Sequence, residues 1–220
     1  MTEWWSWEII GFASSFLGPT TLAAQSVITT ISSLFYQVPW ALAVAGGVRI
    51  GNLLGAQRPQ LARTASRVAM GLSGLLAAAN FALLVAFRHL WGTLFSSDPA
   101  VVDVVVTVLP LVALFQLPDV LAGSTGWLLR GAGKPTVGAA INIVSYYIVG
   151  IPIGIGIAFW GPRLGLQGLW VGLTLALTGA AILMSVVILR MDWKAEGEMA
   201  ATRAGLAAKR GEEEEQEEQV

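Results

Sequence analysis

Val101–Gly133 reads VVDVVVTVLPLVALFQLPDVLAGSTGWLLRGAG, and the rest of the chain is read outward from it. Counting back about 20 residues from Arg130, the length that spans a bilayer core, puts Asp119 near the middle of that span. Between Val104 and Leu129 no other residue is ionisable. A carboxylate at mid-depth costs roughly a few kcal/mol, so the default reading of Asp119 is functional. Pro110 and Pro118 lie in the same run. Each removes a backbone donor and is expected to bend or loosen the helix. A membrane helix tolerates this where neighbours or a wet cavity satisfy the freed carbonyls. The expectation is a bent membrane helix that carries one ionisable group at mid-depth.

Composition agrees with a membrane setting. The 220 residues are 55% hydrophobic and 12% charged, whereas soluble domains are about 25% charged. Long apolar runs argue for spans. The net charge of −1 conceals an asymmetry, because eight of the fourteen acids follow Trp193. The other six are Glu3, Glu8, Asp98, Asp103, Asp119 and Asp192. There is no cysteine and His89 is the sole histidine, which excludes disulfides, thiolate sites and multi-histidine metal sites. No cofactor is implied. The opening MTEWWSWE carries acids and tryptophans where a signal peptide needs a basic region.

Six apolar segments follow in order. The first ends near Leu17 and is short for a span; Gly18-Pro19 then marks a turn. The second, about 22–47, carries Ser26, Thr30, Ser33 and Gln37 at helical spacing. Gln25, Thr29, Ser32 and Tyr36 repeat that spacing one position earlier, which widens the polar stripe. Such a stripe serves helix–helix hydrogen bonding or lines a cavity; its length, with Gln and Tyr included, favours a cavity. Gly47, Gly51 and Gly55 form a small-residue face for close helix contact. Arg49, Arg58, Arg63 and Arg67 cluster next. Between apolar spans such a cluster signifies a cytoplasmic loop rather than nucleic-acid binding. Segments three, five and six run about 68–87, 137–160 and 165–189, and Asn142 and Tyr146 fall at mid-depth in the fifth. The turn 130–135 lacks the spacing of a phosphate-binding loop. The chain thus divides into a six-helix lobe, 1–192, and an acidic tail, 193–220, expected to be disordered and cytoplasmic. Placing the 49–67 region inside puts eleven basic residues in the cytoplasm and only Arg88 and Arg163 outside. Both termini are then cytoplasmic.

Four motifs occur in order: Glu3–Glu8 (EWWSWE), Gly47–Ala56 (GVRIGNLLGA), Leu129–Pro135 (LRGAGKP) and Asn142–Pro152 (NIVSYYIVGIP). Together they resemble the multidrug and toxic compound extrusion (MATE) family of cation-coupled antiporters, nearer its eukaryotic branch, over about 3–189. The resemblance is to the second half of that family, helices seven to twelve. It implies an all-α polytopic membrane protein: a six-transmembrane-helix bundle equal to one lobe of a twelve-helix transporter. The implied activity is export of organic cations, drugs or metabolites in exchange for protons or sodium ions, with no enzymatic step. Matching motif to motif, Asp119 and Glu8 are the coupling acids. The stripe residues Gln37, Tyr36, Ser33 and Thr30, with Asn142 and Tyr146, are expected to line the cavity. The plasma membrane and a vacuolar-type organelle membrane both fit. The family's first lobe has no counterpart, so the expected partners include an N-terminal lobe or a second copy in a homodimer. Two other readings remain: a truncated, non-transporting fragment, and an intramembrane serine hydrolase built on Ser124 and His89.

Overall fold

The computed structural model describes residues 2–160, 162–203 and 205, with side chains from Trp5 onward. Every regular element among them is helical. The order is α1 (Thr2–Ser15), α2 (Pro19–Gly55), α3 (Pro59–Ala86), α4 (Arg88–Phe95), α5 (Pro99–Gly131), α6 (Pro135–Ile143), α7 (Ile151–Ile155) and α8 (Leu166–Arg190). Two π-helical stretches, Val144–Gly150 and Gly156–Trp160, join α6 and α7 into one rod, Pro135–Trp160. Among the described residues, five helices are long and apolar enough to cross a membrane. The expected first segment, α1, has 14 residues and reaches only about 21 Å. Four of the five spanning helices begin with proline at the first turn, where its missing N–H costs nothing.

α5 is the hub, packed against α2, α3, α4, α6 and α8. Residues on all its sides are buried, from Val101 to Leu129, as a helix surrounded by neighbours requires. It stays helical through Pro110 and Pro118. α2 and α5 run parallel, because Ser32 meets Gln116, Tyr36 meets Gly123, and Gly47 meets Trp127. α3 returns antiparallel beside both: Ala69 and Leu128 flank Gly46, the Ser73 hydroxyl donates to Ser124 at 2.8 Å, and Asn80 Nδ2 donates to the Phe35 carbonyl at 3.0 Å.

Small residues set the closest crossings. A Cβ on Gly47 would stand 2.6 Å from the Trp127 carbonyl oxygen, and one on Gly131 would overlap the Gly47 carbonyl. Gly51 makes ordinary contact with Gly131, but Gly55 touches nothing within 4 Å, so only part of the expected small-residue face is used. A second such face lies on α8. Gly168 and Gly172 pack backbone to backbone against Ala158 and Gly154, and the Ala176 methyl lies against Gly150. Pro152 cannot donate one turn back, and the helix before it widens into the first π stretch.

The α2–α3 and α5–α6 turns are one structure built twice. Leu53-Leu54-Gly55-Ala56-Gln57-Arg58-Pro59 parallels Leu129-Arg130-Gly131-Ala132-Gly133-Lys134-Pro135. Arg58 N donates to Leu53 O and Lys134 N to Leu129 O, both at 2.8 Å. Gln57 and Gly133 occupy the left-handed position at φ 57° and 76°. These are Schellman caps, and the following proline starts the next helix.

The region expected to be a disordered tail begins otherwise. Residues 193–203 are helical, with Trp193 and Glu196 only 4% and 3% exposed. Asp192 Oδ1 starts this helix by accepting from the amides of Lys194 and Ala195. Burial of Trp193 and partners for Glu196 and Arg203 supply what composition alone did not reveal. The acidic run 212–218 lies outside the described residues.

Candidate functional site

The two polar rows of α2 face different ways. The outer row, Ser26, Thr30, Ser33 and Gln37, is exposed. The Ser26 and Thr30 hydroxyls donate to carbonyls one turn back, which satisfies them within the helix. The inner row, Gln25, Thr29, Ser32 and Tyr36, turns into the bundle, with Gln25 and Ser32 buried and Thr29 and Tyr36 half-buried. A shift of one residue rotates a side chain about 100° around the helix, and that separates surface from interior here.

The inner row meets α8 at one level and α5 at two. Trp170 on α8 donates its indole N–H to Gln25 Oε1 at 3.0 Å, and Gln25 Nε2 donates to Thr29 Oγ1 at 3.2 Å. Trp170 also packs edge-on against Phe115 and Trp7, at 5.0 and 5.8 Å between ring centroids. Next, Gln116 Nε2 donates to the Ser32 carbonyl at 3.3 Å. Gln116 Oε1 and Ser32 Oγ are buried with hydrogen-bonding capacity unused among the described residues. Groups of this kind are what ordered water or a polar guest binds. Then Tyr36 lies against Gly123, its hydroxyl filling the place a Cβ would take.

Asp119 falls between the last two levels. Gln116, Asp119 and Gly123 sit at helical three- and four-residue spacing and share one face of α5. Asp119 is half-buried, and it and Tyr36 are both engaged by neighbours. The structure thus brings Tyr36 to the helix face that carries Asp119. Glu8 stands exposed on α1, and Thr30, Ser33 and Gln37 stand exposed on α2. Asn142 is half-buried on α6. Tyr146, in the π stretch, is 4% exposed and belongs to the packed core. Gln116 and Trp170 are absent from the sequence-based candidates, and Gln25 entered only as part of the α2 stripe. Gln116 is a lone amide in an apolar run three residues before Asp119, and that spacing was the available signal.

The serine-hydrolase geometry is not formed. His89 is exposed on α4, whose Gly92 packs on Val102 and Val106 near the start of α5. Ser124 lies eighteen residues beyond Val106, about 27 Å along the helix. Its hydroxyl accepts from Ser73 instead. Among the described residues no group of three or more His, Cys, Asp or Glu could hold a metal ion.

Comparison with known proteins bears on this arrangement. A family model described as MatE matches residues 1–155. Multidrug and toxin extrusion protein 2 of Mus musculus is 38% identical over 204 residues, covering 93% of this chain and 35% of its own. Multidrug and toxin extrusion protein 1 of Homo sapiens is 36% identical, covering 93% and 36%. The crystal structure of a eukaryotic MATE transporter superposes with a TM-score of 0.86 at 34% identity, covering 92% of this chain and 45% of that one. An outward-facing multidrug resistance MATE family transporter, 18% identical over 88% of this chain and 44% of its own, shares the fold at a TM-score of 0.76. The chain spans about a third of the length of the curated relatives it matches. With five membrane-spanning helices, the matched family model and these relatives, the chain is an integral, multi-pass membrane protein that belongs to the MATE, or multidrug and toxin extrusion, family.

Proposed function

We propose that this chain forms one lobe of a secondary antiporter that exports organic cations, drugs or metabolites in exchange for protons or sodium ions. The observation that carries the reading is the placement of Asp119. It lies inside a 33-residue span, half-buried, on the face of α5 that meets Tyr36. A carboxylate there has two states with different demands. The charged form favours a wet, cation-accepting cavity, and the neutral form tolerates closure around Pro118, so one proton biases a two-state helix bundle. Glu8 is the second coupling acid. Gln37, Ser33 and Thr30 form the cavity wall on the exposed face of α2, with Tyr36 on its inner side and Asn142 and Tyr146 contributing from the Pro135–Trp160 rod. The names of the relatives, multidrug and toxin extrusion proteins, support an organic substrate.

The exposed outer row of α2 requires a second lobe opposite it, either a further six-helix lobe or a second copy of this chain. Ser26 and Thr30 are satisfied within the helix, but facing lipid Ser33 and Gln37 would lie in hydrocarbon without water, and unsatisfied polar groups there cost several kcal/mol each. The end that carries the α2–α3 and α5–α6 turns is cytoplasmic by its basic residues. Because the chain has no native cysteine, single cysteines at Gln57 and Ser97 test this directly. They label from opposite sides; labelling from one side refutes the topology.

The function is tested by reconstituting the chain, alone and with a matching lobe, and following uptake of a fluorescent organic cation driven by a proton gradient. Paired material transports and monomer does not. Gradient-driven uptake by a stable monomer would overturn the need for a second lobe. No uptake in any pairing would favour the non-transporting reading.

A further inference from the structure

We infer that helix 193–203 is a latch, docked across the two equivalent turns so that it couples the ends of α2 and α5. Three contacts define the docking. Gln57 Nε2 donates to the Gly197 carbonyl at 2.7 Å, on the α2–α3 turn. Lys134 Nζ pairs with Glu196 Oε1 at 2.6 Å, and Arg203 Nη1 donates to the Gly133 carbonyl at 3.3 Å, both on the α5–α6 turn. Glu196 is buried while Lys134 is about one-third exposed, so among the described residues the buried carboxylate depends on Lys134 for its ion pair.

The repeated turn shows why docking, rather than turn formation, selects these residues. Both turns need a left-handed residue at the same position. The α5–α6 turn uses Gly133, and a Cβ there would overlap the Arg203 guanidinium. The α2–α3 turn uses Gln57, a side chain that resists φ 57°. A glycine would make the better turn but could not reach Gly197. A residue that opposes local preference and gains a long-range contact marks a place where tertiary function outweighs local stability. The two turns end the helices that bear Tyr36 and Asp119, so the latch ties together the ends of the candidate site's two walls.

Backbone hydrogen–deuterium exchange on the purified chain in lipid nanodiscs tests this, without any transport readout. Gln57→Gly removes the amide while suiting the backbone, and amides of 193–203 are expected to exchange at least tenfold faster. If Gln57 were only a turn residue, their exchange would stay as in the unmodified chain, and that result overturns the latch. Lys134→Met has the same expected effect, and Lys134→Arg restores protection. A covalent lock tests coupling. A Cβ on Gly197 would lie 3.7 Å from Pro59 Cβ, within the Cβ separation a disulfide uses. The Pro59→Cys, Gly197→Cys pair, once oxidised, closes the α2–α3 side alone. Exchange at Gly133 and Lys134 on the other turn is expected to slow, and reductant to reverse it. Slowing confined to 53–59 and 193–203 would show that the turns are not coupled.

Discussion

Gly47→Ala is the sharpest test of how α2 and α5 are joined. The added methyl would stand 2.6 Å from the Trp127 carbonyl oxygen, where ordinary contact begins at 3.4 Å. The obstacle is backbone within a continuous helix, so no rotamer change relieves it. The helices must part by about 0.8 Å, and the neighbouring contact of Gly131 with the Gly47 carbonyl opens with them. Overpacking of this kind costs about 1–3 kcal/mol. Alanine recovers about 1 kcal/mol of helix propensity, which leaves a net loss of roughly 0–2 kcal/mol against the unmodified chain, while the control gains that propensity outright. For a chain of this size that lowers the melting temperature by up to about 8 °C. Gly71→Ala is the matched control, mid-helix on α3 with nothing within 4 Å of its Cβ. Thermal or denaturant unfolding in one detergent, followed by circular dichroism, compares the two. Equal stability of both variants would mean that α2 and α5 do not cross where described.

Other perturbations separate packing from function. Gly123→Ala meets the far end of the Tyr36 side chain rather than backbone; it leaves stability within about 1 kcal/mol but lowers transport at least tenfold, read as uptake against unfolding midpoint. Asp119→Asn, in the paired transporter, removes the pH dependence of uptake, and an unchanged pH profile would take Asp119 out of coupling; Glu8→Gln weakens uptake as well. Gln25→Met leaves the buried Trp170 indole N–H without its acceptor and costs about 1–3 kcal/mol. Adding Trp170→Phe to that variant offsets less than the whole loss, because the ring also packs on Phe115 and Trp7.

Sequence alone determined what depends on local composition and period. Apolar runs located the spanning segments, and the Gly18-Pro19 step marked the turn before α2, but the start of α3 at Pro59 lies well ahead of the apolar run that announced it. Asp119 stood out because a lone charge in an apolar run is expensive wherever its helix packs. Tertiary structure decided the rest. Two polar rows one residue apart look alike in sequence; only packing of α2 on α5 sent Ser32 and Tyr36 inward and left Ser33 and Gln37 exposed. Gln116 and Gln25 gained partners 84 and 145 residues distant, which helical periodicity does not encode. Tyr146 sits in the core because the Gly150–Gly154 face draws its rod against α8. Residues 193–203 show the same limit most plainly. Their polar composition cannot bury enough apolar surface alone and so predicts disorder. They fold where Trp193 is covered and the two repeated turns offer the Lys134 ammonium, the Gln57 amide donor and the Gly133 carbonyl acceptor.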